Sequence, residues 1–230
     1  MRRPLSRQRN KTKTRAANKT EKLARRSDLL QCTKKLFEKF DYARINITDI
    51  CQLAKLAKGS FYLYFKTKEE AFLSLTQELM EDWNQRVITA LDALPQESSA
   101  SRAAKTYTST FKDSHQLLRL FSMLHPVLER NVAIERIVEF KKVMKIVQEL
   151  QSKSWARLYP ALTDNDLQLL FGFLSSSILG VWALTNPPPS AREALQQLGQ
   201  EESILPFEVA FESVMNTFLD GLLQGKLKRK

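Results

Sequence analysis

The chain has 230 residues, of which 43% are apolar, and this is enough to bury a substantial core. Its net charge of +11 favours an anionic partner. Two cysteines, two histidines and six glycines leave little material for a disulfide scaffold, a Cys/His metal site or a glycine-rich phosphate loop. We therefore expect a protein that is not an enzyme, with no catalytic residue, no metal and no cofactor.

The excess positive charge lies at the N-terminus. Residues 1–26 hold 11 Lys or Arg and one acid, Glu21, whereas residues 27–230 hold 25 basic and 24 acidic residues. Because the segment lacks periodic apolar residues, residues 1–25 are expected to form a basic arm that is disordered when free. Such an arm either holds DNA phosphates or the minor groove, or only keeps the protein in solution. No apolar run follows the charges, so a signal peptide is not expected and the predicted location is the cytoplasm.

Two short helices joined by a tight turn are predicted after a first helix at about 26–40. Thr48 or Asp49 can begin the second helix, because a side-chain oxygen there accepts a hydrogen bond from an otherwise unpaired backbone N–H. A turn through residues 55–57 then leads to a third helix at about 58–65. A short helix braced by another is the helix-turn-helix arrangement that enters a DNA major groove. Double-stranded DNA is therefore the expected partner.

The run from Lys58 to Glu70, K-G-S-F-Y-L-Y-F-K-T-K-E-E, resembles the recognition-helix signature of the tetracycline-repressor (TetR) family of bacterial transcription regulators. The resemblance covers roughly residues 26–75. Two positions depart from the family pattern, because Lys55 stands where a turn glycine is usual and Ala57 where a Ser or Thr cap is usual. A non-glycine residue in the left-handed conformation costs on the order of 1 kcal/mol, and a lost N-cap hydroxyl costs about as much.

The resemblance also implies which residues contact DNA. Carried over by position, they are Thr48, Lys58, Gly59, Ser60, Tyr62, Tyr64 and Lys68. Thr48 and Lys68 would contact phosphates, and Gly59 would let the backbone approach closely. Lys58 and Tyr62 are the expected base contacts, because a Lys amine can donate to guanine and a Tyr ring can meet a thymine methyl.

Other readings of these positions stay open. Tyr64 is alternatively half-buried in the head, and Lys68 is alternatively a solvated charge. Phe61 and Phe65 are assigned to the core, because they fall on the inward face of the third helix.

Helical spacing continues through the rest of the chain, so the predicted fold is all-α. A long helix capped by Thr67, with Glu70 as its capping-box partner, leads from the head (26–70) into a helical effector-binding and dimerisation domain (71–226). This helix either transmits movement between the two domains or serves as a passive strut. Further helices are predicted at about 102–124, 132–159, 164–185, 191–198 and 202–224.

Residues 167–186 carry no charge over a length that could span a bilayer. Interspersed polar residues and the lack of flanking basic residues favour a buried protein helix, so no membrane is expected. In the resembled family the last two long helices form a four-helix dimer interface. The residues expected in that interface are Gly172, Ser176, Gly180, Phe207, Phe211, Val214 and Phe218. The alternative is an intrachain core without a partner.

The resemblance further implies a small-molecule pocket in the second domain and release from DNA when the pocket fills. The candidate lining residues are Phe111, Phe121, His125, Phe140, Met144, Trp155, Phe171 and Trp182. Because aromatic side chains dominate this set, the expected effector is apolar or aromatic. Large apolar side chains in helical stripes are also ordinary core, so that reading stays open as well.

Together these features predict a dimeric, ligand-responsive transcription regulator of the TetR type, acting as a repressor. Its two recognition helices would enter successive major grooves about 34 Å apart and would therefore need a palindromic operator. The alternative is an architectural DNA-binding protein with little sequence specificity.

Overall fold

A computed structural model of the chain describes the backbone of residues 6–227 and the side chains of residues 20–225. Every regular element in that range is a helix, which confirms the all-α class. The α-helices are α1 (Ser6–Lys39), α2 (Ile47–Leu53), α3 (Lys58–Phe61), α4 (Lys68–Asp92), α5 (Ala100–Ser109), α6 (His115–Met123), α7 (Ile134–Leu158), α8 (Asp164–Thr185), α9 (Pro189–Gln197) and α10 (Phe207–Leu227). Short 3₁₀ turns lie at Tyr42–Arg44 and Glu201–Ser203, and a π-helical turn lies at Leu124–Leu128.

The chain divides into two compact units between Leu75 and Thr76, inside α4. The first unit contains α1 to α3 and the start of α4. The second contains the rest of α4 and all later helices. The division lies a few residues beyond the predicted boundary at residue 70, because the first turns of α4 belong to the core of the head.

Helix α1 begins at Ser6, whereas the sequence predicts a first helix from about Arg26 and a disordered arm before it. The backbone of residues 6–25 is helical in the structure, which differs from the expected arm without regular structure, and residues 1–5 lie outside the described residues. The segment is rich in Lys, Arg and Ala, which are good helix formers, and residues 6–25 contain neither Gly nor Pro. Once the packed part of α1 has formed, each residue added to its N-terminal end gains a hydrogen bond without a new nucleation step.

Helix α2 begins one residue before the predicted Thr48, because Asn46 rather than Thr48 or Asp49 is its N-cap. The Asn46 side-chain oxygen accepts from the Asp49 backbone N–H at 3.0 Å, and Asp49 Oδ2 accepts from the Asn46 N–H at 2.9 Å. This reciprocal pair is a capping box, which satisfies two backbone donors at once.

The turn into α3 has the left-handed conformation that the resemblance to the TetR family implies. Lys55 has φ of 55°, in the left-handed region that favours glycine. Ala57 is the N-cap of α3 and makes no side-chain capping bond. The α-helical part of α3 is shorter than predicted, and bonds such as Tyr64 N–H to Phe61 O (2.9 Å) continue it as tighter turns. A helix this short depends on the packing of its apolar side chains.

Aromatic side chains hold the head together. Phe61 and Phe65 are 0% and 1% exposed, with ring centroids 5.5 Å apart, which confirms their assignment to the core. Phe37 of α1 meets Phe72 of α4 edge to face at 5.3 Å. The Arg26 guanidinium lies 4.9 Å from the Phe65 ring centroid. These contacts join α1 to the start of α4 through Phe37 and Phe72, and α1 to the segment after α3 through Arg26 and Phe65.

In the second unit the predicted helix at about 102–124 is two helices. The chain turns at Asp113, where φ is 62°, and α6 then starts at His115. Helix α7 is uninterrupted, and α8 has the bounds that the sequence predicts. Thr163 and Asp166 form a capping box at the start of α8. Helix α10 packs against both α5 and α8.

Over residues 6–227, α8 is the one helix that is long and apolar enough to cross a bilayer by length and hydropathy. A core helix of a globular protein passes the same test. Leu170, Leu174 and Ile178 of α8 are buried, and the helix packs against α6 and α10. This is the arrangement of a helix that contributes one face to a helical core.

Candidate functional site

The turn that carries α3 presents polar and apolar side chains on one outer surface. Lys58 and Gly59 are exposed, and Tyr62 is 51% exposed. Ser60 and Tyr64 are half-buried, so the alternative reading of Tyr64 agrees with the structure. We call Lys58, Gly59, Ser60, Tyr62 and Tyr64 the α3 surface. Lys58 and Tyr62 are the most exposed side chains of this surface, and so they are available to another molecule.

Sequence reasoning missed Leu63 on this surface. Leu63 is 68% exposed, more than Tyr62 beside it. An exposed leucine between two tyrosines can contact the methyl group of thymine. The signal that could have found it is the local pattern, because Phe61 and Phe65 point inward and Leu63 lies midway between them.

Gly59 has open space around it. A Cβ atom built on Gly59 would meet no atom within 4 Å in the described part of the chain. The fold itself therefore does not require glycine here. A requirement for glycine at this position would have to come from a molecule that approaches the backbone from outside.

Lys68, predicted to contact phosphate, already has partners within the head. Its Nζ donates to the carbonyls of Tyr42 (3.1 Å) and Ile45 (2.9 Å), and lies 3.8 Å from the Tyr42 ring centroid. Burial lowers the pKa of Lys68, and the neighbouring Glu69 only partly offsets this. These contacts join the 3₁₀ turn at Tyr42–Arg44 to the start of α4. Thr48, the other predicted phosphate contact, is exposed.

A shallow cleft lies beside the α3 surface, between α1 and α3. Two basic side chains of α1, Lys22 and Arg25, line it. Its full lining is Glu21, Lys22, Arg25, Leu56, Ser60, Leu63 and Tyr64. Helix α1 therefore brings positive charge to the edge of the α3 surface, which suits an anionic polymer.

The second unit contains an apolar cavity of about 310 Å³. Four of the predicted lining residues belong to it: Phe121, His125, Met144 and Phe171. The other residues that line it are Met80, Trp83, Tyr107, Leu124, Lys141, Lys145, Val147, Gln148, Gln151, Leu174, Ser175, Ile178 and Leu179. Apolar walls with a few polar groups are typical of small-molecule sites.

Four predicted lining residues lie elsewhere. Phe111, Phe140, Trp155 and Trp182 are all at most 6% exposed, and none of them lines the cavity. They form ordinary core, as the alternative reading allowed. Phe111, for example, is packed between the rings of Trp83 (4.9 Å) and Phe211 (5.6 Å) and so has no free face.

Polar groups of the cavity are of two kinds. Deep in the wall, the Gln151 amide donates to Asn84 Oδ1 at 3.0 Å, and both side chains are buried. At the rim, His125 Nδ1 and Lys141 Nζ lie 2.8 and 2.5 Å from the two carboxylate oxygens of Glu129. Burial alone raises the pKa of Glu129, but these two contacts outweigh it and hold the pKa below its usual value.

The residues predicted for a dimer interface separate into two groups. Phe207 and Phe211 are 5% and 0% exposed, stack on each other at 5.3 Å and belong to the core of their own chain. Phe207 lies against Trp182 of α8 and Phe211 against Tyr107 of α5, so their burial within one chain does not support their assignment to an interface. Gly172, Ser176 and Gly180 are exposed on α8.

The exposed group continues onto α10. Val214 is 39% exposed, and Phe218 is half-buried and stacks on Phe173 of α8 with centroids 3.8 Å apart. We call Gly172, Phe173, Ser176, Gly180, Val214 and Phe218 the α8/α10 face. Leu169 and Leu184 extend it at both ends and are 57% and 79% exposed.

A helix-turn-helix head followed by a second, helical unit is the architecture of a DNA-binding transcription regulator. Residues 29–75 match the family "Bacterial regulatory proteins, tetR family", and residues 77–226 match "Tetracyclin repressor-like, C-terminal domain". The chain therefore belongs to the TetR family of bacterial transcription regulators.

Relatives agree with this assignment. The chain is 26% identical over 131 residues to the uncharacterized HTH-type transcriptional regulator YhgD of Bacillus subtilis (strain 168). That match covers 56% of this chain and 66% of YhgD, slightly less than two thirds of its length.

Two solved structures show the same fold. A TetR/AcrR-family transcriptional regulator from Thermobifida fusca has a TM-score of 0.56 at 19% identity, over 86% of this chain and 98% of that chain. The transcriptional regulator FadR from Bacillus subtilis, in complex with stearoyl-CoA, has a TM-score of 0.52 at 15% identity, over 85% and 98%. At these identities the likeness concerns the fold alone.

Proposed function

We propose that this TetR-family regulator is a homodimeric repressor that binds a palindromic operator in the cytoplasm and leaves it when a small molecule fills the cavity. The observation that carries the operator-binding part is the α3 surface. Lys58 and Tyr62 are exposed on a turn whose other side is anchored by buried Phe61 and Phe65. A rigid helix with exposed donors and rings is what direct readout of bases in the major groove needs.

Within this proposal, Lys58 and Tyr62 contact base edges, and Ser60 and Tyr64 lie at the groove wall. Thr48 contacts a phosphate from the start of α2. The basic side of α1, including Lys22 and Arg25, contacts phosphates beside the groove. Such contacts add affinity without sequence preference and make binding strongly dependent on salt.

Gly59 supports close approach of α3 to DNA. Since a Cβ at Gly59 meets nothing in the described chain, Gly59→Ala should leave the head folded and even favour helix by about 0.5–1 kcal/mol. If the backbone at Gly59 lies against DNA, the same substitution should weaken operator binding. Stability and affinity that move in opposite directions would distinguish contact with DNA from a structural role.

Dimerisation is supported by the α8/α10 face. It combines small residues, which let two helices approach closely, with exposed leucines at its ends. Contiguous exposed apolar patches of this kind often mark sites of protein–protein contact. A second copy related by a two-fold axis would give two α3 surfaces, and these would read two half-sites.

Release by a small molecule is supported by the cavity. Its walls are mostly apolar, which suits an effector with a large apolar part. The B. subtilis FadR complex shows that a protein of this fold can bind an acyl-CoA. For the present chain, the support is the cavity itself.

The test is selection of binding sites from random duplex DNA by the purified protein at about 150 mM salt, where non-specific binding is suppressed. We expect a palindrome with half-sites about one helical turn apart. Tyr62→Ala should lose the selected sequence and keep much of the non-specific binding. Deletion of residues 1–22 should weaken binding to all DNA and flatten the salt dependence. Tight binding with no enriched sequence would contradict the proposal and favour the architectural alternative.

A further inference from the structure

We propose that the effector is an amphipathic anion, with its apolar body inside the cavity and a single anionic head at Lys141 and Lys145. The inference rests on the proposed function, because it names the class of molecule that the effector cavity takes. It differs from the expectation of a purely apolar or aromatic effector by adding a charged group at one end.

The interior of the cavity suits an apolar body. Trp83, Phe121, Met144 and Phe171 line it, and methionine adapts to an irregular ligand because it has three rotatable bonds. The buried Gln151 amide is already bonded to Asn84, so it makes little demand on a ligand. Burying a charge against these walls without a partner would be strongly unfavourable. A charged group of the ligand therefore has to lie at the rim.

The rim carries positive charge. Lys141 and Lys145 are one turn apart on α7, so their side chains leave the helix on the same face. Both line the cavity, and none of the lining residues that the structure describes is acidic. Long lysine side chains can cover apolar surface with their stems while the ammonium stays in water. This arrangement leaves an apolar ligand body inside and places two ammonium groups beside its outer end.

The contacts of Glu129 show that the rim can bind a carboxylate. Its carboxylate contacts Lys141 Nζ at 2.5 Å and His125 Nδ1 at 2.8 Å, and the lowered pKa of Glu129 keeps it ionised at neutral pH. Lys141 is therefore partly neutralised by Glu129. Lys145 is 77% exposed and lies 3.8 Å from Glu149, an exposed pair of little strength. A ligand anion would thus find Lys145 easily available and would share Lys141 with Glu129.

The π-helical turn lies beside the cavity and contains Pro126, which has no backbone N–H to donate. Residues Leu124–Leu128 form this turn directly after α6, and its Leu124 and His125 line the cavity. π-helical turns are rare and occur frequently at functional sites, because the extra residue redirects the side chains. In this chain the turn aims His125 at the rim, beside Glu129 and Lys141.

The cavity volume of about 310 Å³ lies at the lower end of the range of roughly 300–1,000 Å³ that is usual for small-molecule sites. The cavity therefore has room for the apolar part of a small molecule.

The probes are decanoate, decan-1-ol and decanoyl-CoA, titrated calorimetrically into the full-length protein and into Lys141→Gln, Lys145→Gln and, as matched control, Lys142→Gln. Lys142 is exposed on the same helix but does not line the cavity. We expect decanoate to bind more tightly than decan-1-ol. Each rim variant should bind decanoate about tenfold more weakly, with decan-1-ol affinity unchanged. Lys142→Gln should match the wild type.

The outcomes distinguish a free carboxylate from an acyl-CoA as the source of the anion, and they also decide whether the proposal holds. Binding of decanoyl-CoA alone, weakened by the same rim variants, would also support an amphipathic anion and identify a thioester as its source. Decan-1-ol binding as tightly as decanoate, or rim variants without effect, would overturn the inference. If decan-1-ol then still released the protein from its selected operator, the proposed function would stand without the anionic head. If no probe bound, the inference would fail while operator selection tested the proposed function separately.

Discussion

Lys68 allows a sharp distinction between a residue that contacts DNA and one that positions the head. Its ammonium donates to the carbonyls of Tyr42 and Ile45 and lies over the Tyr42 ring. Lys68→Met keeps the length and the apolar stem but removes the charge. If the ammonium mainly holds the 3₁₀ turn to α4, the variant should lose stability without losing a phosphate contact.

The magnitude follows from these contacts. A hydrogen bond to a charged group contributes about 1.5–3 kcal/mol, and an exposed cation–π contact about 0.5–1 kcal/mol. The Tyr42 carbonyl also accepts from the Ile45 N–H at 3.2 Å, so its loss is partly covered. The Ile45 carbonyl loses its 2.9 Å donor. We therefore expect Lys68→Met to reduce the free energy of unfolding of the head by about 2 kcal/mol.

The assay needs two probes because the chain has two units. All three tryptophans, Trp83, Trp155 and Trp182, lie in the second unit, so their fluorescence reports that unit, whereas far-UV circular dichroism reports both. Urea unfolding should shift by circular dichroism in Lys68→Met, and Lys66→Met, at an exposed lysine nearby, should stay within about 0.5 kcal/mol of wild type.

The salt dependence of DNA binding completes the test. A lost phosphate contact reduces the slope of log affinity against log salt by about one, whereas a positioning residue leaves the slope unchanged. Unchanged stability together with a slope reduced by about one would refute the positioning role and restore Lys68 as a phosphate contact.

Three further substitutions test other features of the fold. Lys55→Gly should raise the free energy of unfolding of the head by about 0.5–1 kcal/mol relative to Lys55→Ala, because glycine adopts the left-handed conformation without steric strain. This gain exceeds the cost of the extra conformational entropy that glycine gives the unfolded chain. Equal stabilities of the two variants in urea would contradict this. Burial raises the pKa of Tyr107 far above its ordinary value, so the folded chain keeps a proton that the unfolded chain releases near pH 10. The free energy of unfolding is therefore unaffected by Tyr107 below about pH 10 and falls as the pH rises above it. Between about pH 10 and 12, chemical denaturation should show a smaller loss of stability for Tyr107→Phe than for the wild type. Ser176→Arg, in the middle of the α8/α10 face, should give monomers by analytical ultracentrifugation, whereas Ser101→Arg on α5 should sediment like wild type; a dimeric Ser176→Arg would place the interface elsewhere.

The head was largely predictable because its signals are local. The spacing of Phe61 and Phe65 indicates the inward face of α3. The resemblance to the TetR family, which usually has glycine at this turn, implies the left-handed conformation that Lys55 adopts with φ of 55°. The start of α2 was harder, because Asn46, Thr48 and Asp49 are all good capping residues. Which one caps depends on where the preceding 3₁₀ turn ends, and that is not a local property.

The cavity was predictable in kind but not in detail. Helical periodicity identifies side chains that point inward, yet it does not say which of them meet other side chains and which meet a void. Trp155 and Phe171 both point inward, but only Phe171 lines the cavity. Lys141 and Lys145 were not predicted as lining residues, because charged residues in a helix are usually expected to face only solvent, although their apolar stems can line a cavity.

Helix α8 contributes to both proposed sites of the second unit. Phe171, Ser175 and Leu179 line the cavity, while the adjacent Gly172 and Ser176 lie on the α8/α10 face. A ligand that displaces the inner side of α8 displaces its outer side as well, because the helix moves as one rigid element. Effector binding and dimerisation are therefore expected to be coupled.

Thermodynamic linkage makes this coupling measurable from either side. If the effector changes the dimer dissociation constant by some factor, dimerisation must change the effector affinity by the same factor. Titrating decanoate at protein concentrations below and above the dimer dissociation constant should give two different affinities, and the monomeric Ser176→Arg should show one affinity at all concentrations. Equal affinities in the wild type would mean that the inner and outer sides of α8 act independently. The effector signal would then have to leave the cavity through α4, which supplies Met80 and Trp83 to its wall and continues into the head.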